Sequence, residues 1–260
     1  MSAVSAVSAV NGITRAEVAV TACSDLFRGQ REILASPAGL VPAIGVRLAL
    51  LTHAPDLMIS DGESTILGDV PAVDRPSTVS AGYLPYRELF ELIASGRRHV
   101  VMGGAQIDRF GNQNLSAIGD HARPARQLLG TRAAATNTVN HMTSYWIPRH
   151  TRRTFVAKVD FVSGVGRDRV RAAGPGAFPF HRLHRVVTNL GVFDFSGPDS
   201  SMALVSLHPG VALDEVRDAT GFPLHLTAPI RTTRLPDERE LQLIREVLDP
   251  RTLREHEVPA

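Results

Sequence analysis

Cysteine is almost absent from this chain of 260 residues, since Cys23 is the only one. A single cysteine forms neither an internal disulfide framework nor a thiolate metal cluster, which excludes a disulfide-stapled domain and fits a reducing cytosol. No apolar run reaches the roughly 18–20 residues that a membrane-spanning helix needs. Residues 1–10 contain Ser-Ala-Val three times but lack the pattern of a signal peptide. We therefore expect a flexible tail over residues 1–12 and a cytoplasmic protein.

An excess of charge of one sign is also missing. The 28 basic and 26 acidic side chains leave a formal net charge of +2, and no Lys/Arg run resembles a nucleic-acid-binding tail. Arginine is well shaped to bind carboxylates and phosphates. An anionic small molecule therefore explains the basic residues at least as well as a nucleic acid does, and we expect neither a nucleic-acid nor a membrane partner.

Motifs for metals and nucleotide cofactors are lacking as well. The pairs His181/His184 and His141/His150 come without the Cys, Asp or Glu companions of a zinc site. The segment Gly164-Val165-Gly166 is too short for a dinucleotide-binding fingerprint, and the sequence contains no phosphate-binding Gly-x-x-x-x-Gly-Lys loop. We therefore predict no metal, no NAD and no ATP.

The hydrophobic pattern alternates between helices and strands up to about residue 165, which predicts an α/β fold with a mostly parallel sheet. Thr14-Arg15-Ala16-Glu17 has the pattern of a capping box and predicts a helix that runs to about Arg28. With 43% hydrophobic residues, the chain can form one α/β domain over residues 13–260 without a metal or disulfide. We further predict helices over residues 44–51, 214–219 and 238–248, and strands over 57–59, 100–102, 183–195 and 202–207.

The most informative segment is residues 101–120, where three turn-forming units interrupt an apolar run. Gly103-Gly104 directly follows the strand-like residues 100–102, and glycine allows a backbone to pass close to a bound group. Gln106, Asn112 and Asn114 bring amide groups next to that backbone. Open α/β sheets bind ligands where strands end in such loops. The alternative is a simple hairpin with a polar turn, in which the Asn side chains cap the turn.

This segment resembles the β subunit of the family I coenzyme A transferases, and most of all the glutaconate branch. The resemblance extends from about residue 14 to the C-terminal helix, which implies the transferase β-subunit fold. It also implies an acyl-CoA substrate, an active site shared with an α subunit and, by expectation, an α2β2 heterotetramer. CoA would enter as part of the substrate, so no further cofactor is expected. Besides residues 101–120, the matching motifs are Arg123-Pro124-Ala125-Arg126, residues 152–162, residues 186–195, His208-Pro209-Gly210 and residues 218–222.

The position of the transferase nucleophile departs from the family pattern. Transferases of this family attack the acyl-CoA with a glutamate that follows a strand, in a Glu-Xaa-Gly context. The corresponding stretch here is Leu57 to Thr65. One count places Gly62 at the glutamate position, and a shift of one residue places Glu63 there. Glu63 is thus the candidate nucleophile, and the alternative is a solvated or arginine-paired carboxylate.

A second departure falls in the Gly-rich oxyanion loop of the transferases, which here reads Gly130-Thr131-Arg132-Ala133-Ala134-Ala135-Thr136-Asn137. Alanine resists the positive φ that glycine allows, so we expect the loop to follow a different path. Both departures favour changed chemistry in a retained acyl-CoA site. They resemble the β subunits of two-subunit hydrolases that open the last ring in bacterial steroid (cholesterol) degradation. That subgroup lacks the usual glutamate and is thought to use a base on the α subunit.

The resemblance implies that water adds to a cyclic β-keto acyl-CoA and that a C–C bond is then cleaved, as in a retro-Claisen reaction. Such chemistry needs a base, donors for an oxyanion and cationic partners for substrate carboxylates. Arg126 and Arg132 are the cationic candidates. The alternatives are a CoA transferase that acts through Glu63 and a non-catalytic subunit that supports the α chain. The candidate substrate-binding residues together are Gly103, Gly104, Gln106, Asn112, Asn114, Arg126, Arg132, Thr136 and Asn137.

Overall fold

The computed structural model describes residues 12–62 and 64–258, so most of the expected tail and the candidate nucleophile Glu63 lie outside the described residues. No helix in the described part of the chain has the length and apolarity to cross a membrane. The α-helices are α1 (Arg15–Asp25), α2 (Leu40–Thr52), α3 (Tyr86–Ala94), α4 (Ala134–Asn140), α5 (Arg167–Ala173), α6 (Leu213–Ala219) and α7 (Glu238–Gln242). The strands are β1 (Leu34–Pro37), β2 (Met58–Ile59), β3 (Thr65–Leu67), β4 (Ser80–Tyr83), β5 (Arg98–Met102), β6 (Gln106–Ile107), β7 (Gln113–Asn114), β8 (Ala117–Ile118), β9 (Arg126–Gln127), β10 (Met142–Ile147), β11 (Arg182–Thr188), β12 (Gly191–Asp194), β13 (Ala203–Leu207) and β14 (His225–Thr232).

Helix α1 begins where the capping box predicted. The Thr14 hydroxyl accepts a hydrogen bond from the Glu17 N–H at 3.2 Å, and the Glu17 carboxylate accepts one from the Thr14 N–H at 2.9 Å. The helix ends at Asp25, earlier than the predicted Arg28. The Gln30 side chain donates to the free carbonyl of Leu26 at 2.8 Å, which stabilises this earlier end.

Eight strands form the central sheet, in the order β14-β13-β12-β11-β10-β5-β1-β2. The pairs from β2 to β11 are all parallel, and β12 alone runs antiparallel to both of its neighbours. The prediction of a mostly parallel sheet is therefore confirmed. The predicted strand over residues 183–195 is in fact two strands. Thr188 Oγ1 accepts from the N–H groups of Leu190 and Gly191, which closes a tight turn between them.

The sheet separates two hydrophobic cores. Alternate residues of β5 show this directly, because Val101 packs in one core while Val100 and Met102 pack in the other. The first core lies under α1, α2 and the C-terminal helix, in which a π-helical segment Leu243–Leu248 continues α7. The second core lies on the face that carries α4 and the loops after β5.

A buried ion-pair network joins α1 to the C-terminal segment. The Glu17 carboxylate, only 1% exposed, accepts from Arg254 Nη2 at 2.9 Å and from Arg245 Nε at 2.7 Å. Arg254 also donates to Asp249 Oδ2 at 2.9 Å. Burial alone would raise the pKa of Glu17, but hydrogen bonds from Arg245 and Thr14 and the charge of Arg254 lower it below its usual value. The ionised carboxylate therefore stabilises the folded state.

We expect Glu17→Gln to lower the free energy of unfolding by about 3 kcal/mol, because it leaves part of the charge on buried Arg254 without a counter-charge. The matched variant Glu91→Gln, on the exposed surface of α3, should change it by no more than about 0.5 kcal/mol. Urea unfolding across pH measures both. Folding lowers the pKa of Glu17. The stabilisation is therefore fully present at pH values above the pKa that Glu17 has in the unfolded chain, and it is lost as the pH falls through the lower pKa of the folded state. The wild-type and Glu17→Gln curves should therefore converge in acid, and equal stability near pH 7 would contradict the assignment.

Candidate functional site

A cavity of about 670 Å³ lies on the second-core face of the sheet, beside β1 and β5. Its walls come from the segments that follow β1, β2 and β5, from the loop before α4, and from α2, α3 and α4. Leu129, which is 87% exposed, forms part of its rim, so the cavity opens to the surface. The lining residues are Leu34–Ala38, Ala43, Arg47, Ser60–Gly62, Leu84, Leu89, Arg98, Val100, Met102–Gly104, Leu115, Leu129–Ala134 and Asn137.

The order of the strands explains why the cavity forms here. The chain passes from β1 to β2 on one side and then returns to place β5 on the other side of β1. Helix α2, between β1 and β2, packs on α1, whereas α3, between β2 and β5, packs on α4. The connections therefore leave on opposite faces and open a crevice at the carboxyl ends of the strands, where α/β sheets bind ligands.

Gly103 and Gly104 line the cavity directly after β5, and their contact with a ligand stays a prediction. The Gln113 side chain donates to the Gly103 carbonyl and fixes this part of the backbone. A Cβ atom at Gly104 would lie 3.3 Å from Gln113 Cγ, whereas one at Gly103 would meet only the Trp146 carbonyl oxygen, at 3.8 Å. A side chain at position 104 would therefore crowd Gln113 slightly, whereas a Cβ atom at position 103 would make an ordinary van der Waals contact.

Arg98 contributes a cation to the same wall. Its Nε donates to Ser36 Oγ at 2.8 Å, and its Nη1 donates to Asn137 Oδ1 at 3.0 Å. Both partners are neutral, and no carboxylate forms an ion pair with Arg98 in the part of the chain that the structure describes. Burial accordingly lowers the pKa of Arg98. A cation held in this way attracts an anion that enters the cavity.

Asn137 and His141 extend this hydrogen-bonded group behind the cavity. His141 Nε2 lies 3.2 Å from Asn137 Oδ1, and its Nδ1 lies 3.2 Å from the Met142 carbonyl oxygen. Burial first, together with the charge of Arg98, lowers the pKa of His141 to about 4, although the bond to Met142 opposes this. The ring is therefore neutral near pH 7, and its single N–H can donate to only one of these two oxygens.

The loop before α4 contains two residues with positive φ, and its expected departure from the transferase path stays a prediction. Arg132 has a φ of 47°, in the left-handed region, and Gly130 has a φ of 94°. Only Gly130 adopts such a conformation without a steric cost, so the Arg132 backbone is strained. Strained non-glycine residues cluster at ligand sites, where the surrounding structure holds them in place.

Five of the sequence-predicted site residues are absent from the lining of this cavity. Arg126 is exposed in β9, and Thr136 is exposed on α4. Gln106, Asn112 and Asn114 are buried instead. The cavity brings together Gly103, Gly104, Arg132 and Asn137, and the substrate-binding role of every predicted residue remains a prediction.

The buried amides hold the β6–β7 hairpin and its surroundings. Asn112 Nδ2 donates to Asp108 Oδ2 at 3.0 Å and to Asp168 Oδ1 at 2.9 Å. Asn114 Nδ2 donates to Gln106 Oε1 at 2.7 Å. These contacts match the alternative that the sequence left open, in which the polar residues organise a hairpin. The hairpin in turn places Gln113, which fixes Gly103.

Sequence reasoning did not single out Arg98, Arg47 or Ser36, although all three line the cavity. A signal for Arg98 was available. Residues 98, 100 and 102 alternate along one strand, so an arginine shares a face with two apolar residues. A charged residue on an otherwise apolar strand face indicates a buried polar group, and such groups are uncommon unless they have a partner or a function. Within the described residues, no group of His, Cys, Asp and Glu is arranged to hold a metal ion.

The family model described as coenzyme A transferase matches residues 12–219. The chain therefore belongs to the coenzyme A transferase family, as its motifs predicted.

Individual relatives define the branch of the family. The IpdB subunit of the cholesterol ring-cleaving hydrolase of Rhodococcus jostii (strain RHA1) is 54% identical to this chain over 249 residues, which cover 96% of this chain and 98% of that relative. The crystal structure of IpdAB from Rhodococcus jostii RHA1 matches with a TM-score of 0.92 over 95% of this chain and 99% of that one. A glutaconate CoA-transferase subunit of Acidaminococcus fermentans is 28% identical, over 89% of this chain and 91% of its own length. The similarity to the ring-cleaving subunit is thus far higher than that to this transferase.

The strained backbone at Arg132 leads to a prediction about the free energy of unfolding. Arg132→Gly and Arg132→Ala remove the same guanidinium, but only glycine relieves the left-handed backbone. We expect the glycine variant to be more stable than the alanine variant by about 1 kcal/mol, after allowing for the greater freedom of glycine in the unfolded chain. Thermal and urea unfolding of the two proteins provide the comparison. A more stable alanine variant would show that Arg132 has an ordinary backbone conformation.

Proposed function

We propose that this chain is the β subunit of a two-subunit hydrolase that opens the last steroid ring of a cyclic β-keto acyl-CoA in cholesterol catabolism. The observation that carries the proposal is the 54% identity, over almost the full length of both chains, to a subunit of a cholesterol ring-cleaving hydrolase. The cavity at the carboxyl ends of β1, β2 and β5 supports it, because apolar and cationic groups line the same space.

The proposed reaction adds water to the ring ketone that is β to the thioester. A base removes a proton from the water, the oxygen bonds to the ketone carbon, and the adjacent ring C–C bond breaks. The electron pair of that bond passes to the carbon next to the thioester carbonyl, which then takes up a proton. The single product is an opened acyl-CoA that carries the new carboxylic acid at its other end. Each oxyanion along this path needs oriented donors.

The walls of the cavity suit such a substrate. Leu34, Val100, Met102, Leu84 and Leu89 give apolar surface for a hydrocarbon ring. Arg98 and Arg132 supply guanidinium groups to the same space, and Asn137 fixes the first of them. A ring with carbonyl and carboxylate groups needs this combination, because apolar walls exclude water while the cations stabilise negative charge.

A second adjoining cavity of about 520 Å³ shares Arg47, Ser60 and Asp61 with the first. Its wall carries Arg75 and several hydroxyl groups, from Thr65, Ser77, Thr78 and Ser80. The two cavities form a continuous polar and apolar surface at the end of β2. We assign the acyl group to the larger cavity, and CoA enters only as part of the substrate, so the proposal needs no further cofactor.

The proposed general base belongs to the α subunit. The segment that follows β2 borders the cavity through Ser60, Asp61 and Gly62, so the region of the transferase nucleophile is retained. A CoA transferase that acts through Glu63 is the second candidate function, and the position of this segment is the observation that favours it. The two functions differ in one respect, namely whether the chain becomes covalently linked to CoA.

We propose that the α subunit covers the open side of the cavity, in an α2β2 heterotetramer. Tyr86 and Phe90 lie four residues apart on α3 and are 64% and 62% exposed, and Leu89 between them lines the cavity. Exposed large apolar side chains grouped beside a site mark an interaction surface. A CoA thioester is too polar to cross a membrane unaided, and we therefore place the enzyme in the cytoplasm.

The covalent state of Glu63 decides between hydrolase and transferase. We expect no CoA-derived modification of Glu63 when the complex with the α subunit turns over a cyclic β-keto acyl-CoA and is then treated with borohydride. Peptide mass spectrometry provides the measurement, and a glutaconate-type CoA-transferase treated in parallel shows that the trap works. A reduced or CoA-linked Glu63 peptide would establish the transferase and refute the proposed hydrolase mechanism.

Assembly through α3 gives a further prediction. Phe90→Asp should weaken the αβ association about tenfold or more, because burying an unpaired carboxylate in an apolar interface is costly. Val247→Asp is the matched control, since Val247 is 44% exposed on the helix that packs on the opposite face of the sheet. Analytical ultracentrifugation of the mixed subunits measures assembly, and the isolated β chain should be inactive. Unchanged assembly of the Phe90→Asp protein would place the interface elsewhere.

A further inference from the structure

The C-terminal segment, residues 249–258, reaches back to the wall of the larger cavity. Glu257 Oε2 accepts a hydrogen bond from the Val41 N–H at 2.6 Å, although the two residues are 216 positions apart in the sequence. Val41 belongs to the first turn of α2, the helix that follows β1. Part of the cavity wall begins at this junction between β1 and α2. The wall residues that it supplies are Pro37, Ala38, Ala43 and Arg47.

The amino end of α2 lacks a capping side chain of its own. The first N–H groups of a helix have no partner within the helix, and a Ser, Thr, Asp or Asn side chain at the N-cap usually accepts from one of them. Here the N-cap residue is Gly39, and Pro42 in the first turn has no N–H. The Glu257 carboxylate accepts from Val41 in place of a local cap. It also lies where the helix dipole favours negative charge.

Gly39 shows how closely the carboxylate approaches the backbone. Its φ of 111° lies in the region that favours glycine. A Cβ atom at this position would lie 2.9 Å from Glu257 Oε1 and 3.1 Å from Trp146 Cδ1. The residue is thus packed between a carboxylate and an indole ring. Because only Ala38 and Gly39 separate the end of β1 from the start of α2, a displacement of the helix end also displaces the cavity wall.

Contacts on both sides of Glu257 in the sequence hold it in place. Arg254 forms the buried ion pairs with Glu17 and Asp249. Val258 is 6% exposed and packs in the first core. The position of the Glu257 carboxylate is therefore fixed by the same C-terminal segment that is joined to α1, and it holds the start of α2 against a rigid part of the fold.

The junction between β1 and α2 also contacts the rest of the cavity wall. The Ala38 N–H donates to the Val101 carbonyl oxygen at 2.8 Å, and Ser36 Oγ accepts from Arg98 Nε at 2.8 Å. A displaced junction would change both hydrogen bonds. Reacting groups must be held in a narrow range of positions, so a small displacement of a wall is enough to slow a reaction.

We propose that Glu257 is a positioning residue of the acyl-CoA site, which holds the amino end of α2 and thereby fixes the wall formed by Pro37 and Ala38. Glu257 does not line the cavity, so it acts through the backbone of α2. The inference rests on the proposed function only in taking the larger cavity as the place where the acyl-CoA binds. It goes beyond that function because it makes the C-terminal segment part of what shapes the site.

The test compares three variants in the complex with the α subunit. Glu257→Ala removes the acceptor, whereas Glu257→Gln keeps an oxygen that can accept from Val41. Asp237→Ala is the matched control. Asp237 also accepts from an N–H at the start of a helix, that of Glu240 at 2.8 Å, but it caps α7 and does not line the cavity. Glu257→Ala and Asp237→Ala therefore both remove a helix-capping carboxylate, and only its place differs.

Trp146 reports the position of the helix end. It is the only tryptophan of this chain, and its ring lies next to Gly39. Incorporation of 5-fluorotryptophan into the β chain alone gives one fluorine NMR resonance in the assembled complex. We expect Glu257→Ala to shift or broaden this resonance, and we expect Glu257→Gln and Asp237→Ala to leave it at its wild-type position.

Two functional measurements accompany the spectrum. Isothermal titration calorimetry with hexanoyl-CoA measures the site without any reaction, and we expect Glu257→Ala to lower the affinity about fivefold or more. In the opening of a cyclic β-keto acyl-CoA, we expect the same variant to lower kcat/KM about tenfold or more, because the wall is misplaced. Glu257→Gln and Asp237→Ala should stay within about twofold of the wild type in both measurements, since the first keeps the hydrogen bond and the second lies elsewhere.

Several results would overturn the proposal. These are an unchanged resonance or an unchanged hexanoyl-CoA affinity in Glu257→Ala, a loss in Glu257→Gln as large as that in Glu257→Ala, and an equal loss in Asp237→Ala, which would show a general effect of lower stability. A wild-type complex that does not bind hexanoyl-CoA would overturn it as well. If Glu257→Ala does not assemble, as judged by size-exclusion chromatography, Glu257→Asp takes its place, because its shorter side chain draws the carboxylate away from Val41.

Failure of the proposed function gives a different result. A wild-type complex whose hexanoyl-CoA affinity depends on Glu257, but which does not open the ring of a cyclic β-keto acyl-CoA, would refute the hydrolase function and leave the positioning role of Glu257 intact.

Discussion

Parallel backbone hydrogen bonding between β2, β1, β5, β10 and β11 is the constraint on which the rest of the structure depends. Parallel strands need crossover connections, and their carboxyl ends all lie at one edge of the sheet. Segments far apart in the sequence, after β1, β2 and β5, therefore meet there. The reversal of strand order at β1 separates the crossover helices and leaves the space that becomes the cavity.

Two arginines with limited solvent exposure have opposite electrostatic surroundings. Arg254 is 3% exposed and contacts the carboxylates of Glu17 and Asp249, so its charge is compensated inside the protein. Arg98 has only neutral partners among the described residues. The first arrangement holds the N-terminal helix to the C-terminal segment. The second leaves the charge of Arg98 without a counter-charge among the described residues, so Arg98 stabilises the fold less than Arg254 does.

Local chemistry made part of this structure predictable from sequence. The capping box of α1 depends on Thr14 and Glu17 alone, and the alternation of helices and strands predicted the parallel sheet. The resemblance to the transferases supplied the family and located Gly103, Gly104, Arg132 and Asn137. It did not reveal that Asn112 and Asn114 face a hairpin interior, because their partners Asp168 and Gln106 are fixed only by the folded chain. The alternation along β5 could have indicated Arg98, but its partners Ser36 and Asn137 are distant from it in sequence and meet it only in the folded chain.

Exposed apolar side chains at the rim of the cavity and beside it have a consequence for the protein in a cell. Leu129, Tyr86 and Phe90 are covered only when another surface lies against them. A subunit that is synthesised in excess of its partner keeps this hydrophobic surface exposed to solvent, which makes it prone to aggregation and proteolysis. We therefore expect the amount of surviving β chain to follow the supply of its partner, so that this surface favours balanced synthesis of the two subunits.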